Sequence, residues 1–240
     1  MSKIHLSVVV PAYNEAKRIK ASLLDMNKYL SKQNYTYEII VVSDGSNDGT
    51  GDVVRSANLN SVRLIDNKKN HGKGYVTKQG MLEAKGDYRI YVDADNAISM
   101  DHIEKFWPYT KNYDVIIGSI EVKGAKIEEH AGWHRRFLGK ISKYLIRFVA
   151  GIWEIKDSQR AFKLFPAEIV KSVFPKQTLE RWGFDFEILA ITKKLGYKIK
   201  ELPVEWINAE GSKVGLKAYF RTFIELFKIR WNFIINKYKI

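Results

Sequence analysis

The residues best suited to chemistry stand in three short clusters. Asp93-Ala94-Asp95-Asn96 follows the apolar run Ile90-Tyr91-Val92. Side chains alternate along a strand, so carboxylates two residues apart are expected on one side. There they can share a hard divalent cation, Mg2+ or Mn2+, which keeps positions open for a substrate diphosphate. An Asp-rich loop that caps the next helix would have the same sequence, because a bare Asp-x-Asp is common. Asp44 stands beside Gly45 in Ser43-Asp44-Gly45-Ser46-Asn47-Asp48-Gly49-Thr50. It is suited to hydrogen-bonding a nucleotide base or ribose, and equally to making a turn. Asn70-His71-Gly72-Lys73-Gly74 precedes a helical pattern. Its glycines permit close backbone approach, and Lys73 can meet a phosphate near the helix start. No Walker loop and no G-x-G-x-x-G occurs, so P-loop and dinucleotide readings lose support.

Periodicity shows which elements must position these clusters. Leu6 to Val10 is a β-branched run, as in a buried parallel strand, and it leads into Pro11-Ala12-Tyr13-Asn14-Glu15. Ile19, Leu23, Met26 and Leu30 recur at helical spacing and predict an amphipathic helix over 15–30. Strands are predicted over 37–42, 61–65, 88–92 and 115–117, with helices over 48–57 and 73–84. Strands alternating with helices predict a mostly parallel α/β sheet flanked by helices. Ligands of such sheets bind beyond the carboxyl ends of the strands. Three acidic strand ends on one edge are hard to explain by packing, since crowded carboxylates repel unless a cation or ligand resolves the repulsion.

Composition bounds the rest. The 240 residues, 45% apolar, suit one α/β domain with an appendage. With no cysteine, disulfides and thiolate metal sites are excluded. The first ten residues run straight into a strand pattern and do not read as a signal peptide. No stretch reaches the roughly 18 uninterrupted apolar residues of a membrane span. A formal net charge of +13 favours anionic partners: nucleic acid, anionic lipid or phosphorylated substrates. Many solvated lysines would give the same balance.

Two segments are amphipathic and basic. Over about 134–153, Arg136, Lys140, Lys143 and Arg147 form one stripe, while Phe137, Ile141, Tyr144, Phe148 and Ile152 form another. Such a helix suits an anionic bilayer surface, or packing on the sheet. From Lys213 onward there are seven basic residues against one acid, Glu225, and Leu216, Phe220, Phe223, Phe227, Trp231, Ile234 and Tyr238 follow helical spacing. An interfacial helix is the preferred reading; a partner helix or calmodulin-like protein would select a similar pattern.

The ordered set PAYNE, SDGSNDGT, NHGKG and DADN resembles glycosyltransferase family 2, with the GT-A (Rossmann-like) fold. Asp157-Ser158-Gln159-Arg160-Ala161-Phe162-Lys163, residues 180–187 (ERWGFDFE), Leu202-Pro203-Val204-Glu205-Trp206 and Glu210-Gly211-Ser212-Lys213 look more like the dolichyl-phosphate β-glucosyltransferases than the sister mannose synthases. The likeness runs from about residue 5 to 230. It implies a metal-dependent, inverting transfer of a sugar, favoured as glucose from UDP-glucose, to a polyisoprenyl phosphate. The expected location is peripheral, on the cytoplasmic face of a membrane, with no nucleic-acid partner.

By the same resemblance Pro11, Ala12, Tyr13 and Glu15 line the nucleotide pocket. Asp44 contacts the base, and Lys73 and Ala94 join the donor site. Asp93 and Asp95 hold ribose, diphosphate and Mg2+ or Mn2+, and are the expected catalytic pair. Arg135, Arg136, Ser212 and Lys213 fall where relatives handle acceptor phosphate or donor diphosphate. The implied organisation is a GT-A domain over 1–212 and a basic amphipathic helix over 213–240. The chain departs from the mannose synthases at Ala97, where they place a metal-binding Gln, and at Ile120, where they place an Arg. An Arg upstream of the Ser-Lys pair is also missing, which weakens a GDP-mannose reading. GDP-mannose-dependent synthesis and transfer to a polysaccharide are the alternatives. A nucleic-acid binder would also be basic, but the acidic strand ends argue against it, and a non-catalytic membrane adaptor would bind lipid without turning over nucleotide sugar.

Overall fold

The structure, a computed structural model, describes residues 3–128, 143–207 and 216–240. Nine strands are described: β1 (Leu6–Ala12), β2 (Tyr37–Asp44), β3 (Val62–Asn67), β4 (Tyr88–Tyr91), β5 (Val115–Ser119), β6 (Lys126–Glu128), β7 (Lys163–Pro166), β8 (Ile199–Pro203) and β9 (Glu205–Ile207). The helices are α1 (Ile19–Leu30), α2 (Thr50–Ser56), α3 (Lys73–Glu83), α4 (143–149), α5 (Ala167–Val173), α6 (Phe184–Lys194) and α7 (Leu216–Ile234).

Seven strands form one sheet in the order β3-β2-β1-β4-β7-β5-β8. β7 runs antiparallel to both neighbours, and every other pairing in the sheet is parallel. β6 and β9 make a separate parallel pair. The continuous apolar runs of β1 and β2 are explained by burial on both faces, as parallel sheets require. Alternation divides them between two cores. Val9, Ile40 and Val42 point to the side carrying α3, α5 and α6. Val8, Val10, Ile39 and Val41 point to the side where Ile19, Leu23, Met26 and Leu30 of α1 pack. Gly80 of α3 lies so close to the sheet that a Cβ there would stand 2.4 Å from Val9 Cγ1. The helix expected from residue 15 begins at Ile19, because residues 15–18 form a turn closed by Arg18 N–H and Ile19 N–H on the Glu15 carbonyl.

α7 has two apolar sides. Leu226 and Ile229 are buried in the main core, and Asn232 turns inward to donate to Thr178 Oγ1 at 3.0 Å. Phe223, Phe227, Trp231 and Ile234 are exposed. Tyr238, expected on that outer stripe, is buried instead. The helix ends at Ile234, the chain reverses through Asn236 at φ +50°, and the Tyr238 hydroxyl donates to Glu187 Oε1 at 2.8 Å. Ile152 departs in the same way. It lies past the end of α4 and is fully buried, whereas Tyr144 and Phe148 are exposed beside Trp153. No helix among the described residues is long and apolar enough to cross a membrane. The 212/213 boundary lies outside the described residues.

Candidate active site

β2, β1 and β4 are parallel neighbours, so their carboxyl ends open onto one edge of the sheet. Pro11 and Ala12 close β1 and are buried, while Tyr13, just beyond, is 42% exposed. The turn after β1 and the loop after β2 are bonded to each other. Asn14 N–H donates to Ser46 Oγ (3.0 Å), Asn47 N–H to Asn14 Oδ1 (3.0 Å), Glu15 N–H to Thr50 Oγ1 (2.8 Å) and Ala16 N–H to Asp48 Oδ2 (3.0 Å). Asn14 sits at φ +53°, a conformation that asparagine tolerates better than most residues. Asn14, Ser46, Asp48 and Thr50 therefore shape the site without needing to touch a ligand.

Asp48 Oδ1 also accepts from Thr50 N–H at 3.0 Å, one of the free donors at the start of α2. Burial acts upward on the Asp48 carboxyl, but the bonds from Thr50 and Ala16 outweigh it and hold the group below its ordinary value. Its bonds therefore stabilise the fold above the unfolded pKa of about 4 and fade as pH falls through the lower, folded value. Asp48→Ala is expected to cost about 1 kcal/mol at pH 7. In denaturant titrations the gap from the parent should shrink progressively below pH 4. A gap that is constant with pH would mean the carboxylate charge contributes nothing.

Asp44, at the end of β2, is almost wholly buried. Its carboxylate accepts from His71 N–H (2.7 Å), Gly72 N–H (2.9 Å) and Asn70 Nδ2 (2.9 Å). Burial pushes the group upward, against the pull of those backbone donors. The residue expected to meet a base is thus also the post that holds the loop carrying Lys73. Gly45 makes this possible. At φ +66° it lies so close to that loop that a Cβ would stand 2.5 Å from the Lys69 carbonyl carbon.

Lys73 begins α3, and its ammonium bonds Asp93 Oδ1 at 2.5 Å. Burial lowers the Lys73 pKa, but Asp93 and then Asp185 outweigh it and raise the value overall. Burial acts upward on Asp93, and the Lys73 charge and hydrogen bond hold it below the ordinary range. Asp95 is raised, first by burial and then by the neighbouring Asp93 charge. Strand alternation does not bring these two carboxylates together: β4 stops at Tyr91, and Ala94-Asp95 form a turn in which Asp95 Oδ1 accepts from Ala97 N–H at 3.1 Å. Ala94 and Ala97 are buried under that turn. Among the described residues no cluster of three or more acidic or histidine groups surrounds a metal position.

Sequence reasoning missed Arg18. Its guanidinium bonds Glu15, at 3.0 Å from Nη2 to Oε1, and its Nη1 lies 3.8 Å from Asp95 Oδ2. It thereby joins the β1 turn to the paired-carboxylate turn, and its i,i+3 spacing from Glu15 was the available signal. A buried network beneath Lys73 was missed too. Lys163 Nζ, fully buried on β7, lies 2.7 Å from Asp185 Oδ1, and the Tyr91 hydroxyl donates to the same oxygen at 2.7 Å. Ile120 is buried in the core with its N–H on Asp157 Oδ2 at 3.0 Å, so this position offers no side chain to a phosphate. Arg135, Arg136, Ser212 and Lys213 lie outside the described residues.

A mostly parallel sheet flanked by helices, with its acidic groups at the carboxyl edge, defines a GT-A fold. The chain belongs to glycosyl transferase family 2, whose model matches residues 7–174. It is 34% identical to a dolichyl-phosphate beta-glucosyltransferase of Trichomonas vaginalis, over 95% of this chain and 71% of that one. It is 31% identical to the human dolichyl-phosphate beta-glucosyltransferase, over 98% of this chain and 78% of the relative. Among solved structures, glucosyl-3-phosphoglycerate synthase from Mycobacterium tuberculosis, in complex with Mn2+, UDP and glucosyl-3-phosphoglycerate, superposes with a TM-score of 0.68. It shares 15% identity, over 99% of this chain and 81% of that one.

Proposed function

We propose that this protein transfers glucose from UDP-glucose to a polyisoprenyl phosphate of the dolichyl type, with inversion, as a peripheral protein on the cytoplasmic face of a membrane. The observation that carries this reading is the Lys73–Asp93 ion pair at the carboxyl edge of the sheet, with Asp95 close enough to feel the Asp93 charge, in a chain that matches along nearly all of its length relatives bearing that glucosyltransferase name.

The residues fit a divalent cation. Asp93 and Asp95 offer hard oxygen donors, and the upward push of Asp93 on Asp95 is a like-charge repulsion that a cation would relieve. Two protein carboxylates with a substrate diphosphate completing the shell is the usual way Mg2+ or Mn2+ is held. When bound, the cation supplies charge neutralisation to the departing diphosphate. Lys73 adds a second positive charge at the same place, and Arg18 steadies Asp95. Pro11, Ala12, Tyr13 and Glu15 line the nucleoside side, with Asp44 behind the loop that closes it.

The acceptor phosphate is already anionic at neutral pH, so it attacks the anomeric carbon without a strong general base. Positioning and charge stabilisation then carry the rate. Arg135, Arg136, Ser212 and Lys213 are our assignment for phosphate contacts. The membrane reading is supported by the exposed aromatic face of α7 and by Tyr144, Phe148 and Trp153, which stand beside Arg147.

The test is a crossed assay of the full chain with Mn2+: UDP-glucose, UDP-galactose or GDP-mannose as donor, and polyprenyl phosphate or a soluble glucan as acceptor. Glucose transfer from UDP-glucose to the lipid phosphate is expected. Faster mannosyl transfer, or transfer to the glucan alone, would overturn the assignment.

A further inference from the structure

Trp182 is the tip of a segment, 178–183, that is fixed on both sides. Thr178 N–H and Leu179 N–H donate to the buried Glu187 carboxylate at 3.0 and 2.8 Å, and Gly183 N–H donates to Glu225 Oε2 of α7 at 2.8 Å. In the middle, Glu180 O accepts from Tyr75 N–H of α3 at 3.0 Å. Gly72 gives the segment room, since a Cβ there would stand 2.4 Å from Glu180 O. On this anchored segment Trp182 is 38% exposed. The Lys73 ammonium lies 5.6 Å from its ring centroid and is bonded to Asp93. A rigid, partly open aromatic surface thus borders the position where the donor's diphosphate charge is neutralised. The hexose is joined to that diphosphate by a single glycosidic oxygen.

We propose that Trp182 is the sugar-positioning and specificity-determining residue, its indole face stacking on the hexose of the nucleotide sugar. This rests on the donor reading given above. In glucose every ring hydroxyl is equatorial, so the C4 end of the face opposite the leaving diphosphate presents only polarised C–H groups to the electron-rich indole, while the C1 end of that face stays open to the attacking acceptor phosphate. Galactose turns an axial C4 hydroxyl to that same surface. An indole face offers no lone pair or N–H to such a hydroxyl, which would be desolvated without a partner. The ring therefore favours glucose by attraction and disfavours its C4 epimer by an unsatisfied hydroxyl.

The experiment measures equilibrium binding of UDP, UDP-glucose and UDP-galactose, with Mn2+, to the parent, Trp182→Ala and Trp182→Phe. For Trp182→Ala the expected result is a loss of about tenfold in UDP-glucose affinity, a change under about twofold for UDP, and a glucose-to-galactose preference reduced by about tenfold. Trp182→Phe should fall between, and it carries the test if the alanine variant folds poorly. Equal weakening of UDP and UDP-glucose would overturn the proposal, because the ring would then serve the nucleotide or only Lys73. An unchanged epimer preference in a folded variant would overturn it as well, leaving the donor reading intact. A parent that binds UDP-galactose as well as UDP-glucose would bring down both.

Discussion

Asp95→Ala is expected to lower kcat by at least about a thousandfold while leaving the fold in place. Among the described interactions the Asp95 side chain makes one turn bond, to Ala97 N–H, and a 3.8 Å approach to Arg18. Neither holds an element of the sheet. Its carboxyl is raised by burial and by Asp93, so the pair sits poised for an added positive charge. Asp93→Ala would be a poorer probe: Asp93 neutralises Lys73, and removing it strands a shielded ammonium, which destabilises the protein as well as the reaction. Thermal unfolding with UDP and Mn2+ checks the cause. The parent should gain stability from the added pair, and the Asp95 variant should not. Full turnover in Asp95→Ala with metal chelated would refute the scheme.

Replacing Phe223, Phe227, Trp231 and Ile234 together with serine is expected to weaken binding to anionic vesicles by more than about a hundredfold. All four are exposed on one face of α7, Trp231 and Ile234 at 60% and 66%. The ring contact described for Phe223 and Phe227 is with each other. Deleting residues 216–240 would be the simpler manipulation, but it would remove the Glu225 bond to Gly183, the Asn232 bond to Thr178 and the Tyr238 bond to Glu187. It would also strip Leu226 and Ile229 from the core, so that loss of binding and loss of fold would be confounded. Sedimentation with phosphatidylserine vesicles and with neutral vesicles reads the effect, and transfer to a short, soluble polyprenyl phosphate should persist. Unchanged sedimentation of the fourfold variant would discard the α7 face as the membrane contact.

Much of the sheet could be read from residue order because it rests on local chemistry. The β-branched runs of β1 and β2 admit few other conformations, and the 3.6-residue spacing of α1 fixes its buried face. The acidic strand ends were visible for the same reason: each lies directly after the strand that carries it. β7 was not visible. Its Lys163-Leu164-Phe165-Pro166 looks like neither a buried strand nor an edge until Asp185, 22 residues later, supplies the charge that lets Lys163 be buried. Strand alternation does not govern Asp93 and Asp95, since β4 stops at Tyr91 and Asp95 stands in the turn beyond it, where the Asp93 charge acts on it.

Sequence by itself determined the chemical inventory, the order of the strands from β1 to β5 and the family. The tertiary structure alone decided that Asp44 holds the Lys73 loop, that Arg18 reaches Asp95, that Tyr238 turns inward and that Trp182 stands over Lys73. Local propensity acts over a few residues, whereas these pairings join segments distant in the chain. Their partners become neighbours only when the sheet has assembled and the desolvation of each charge must be matched by a particular group.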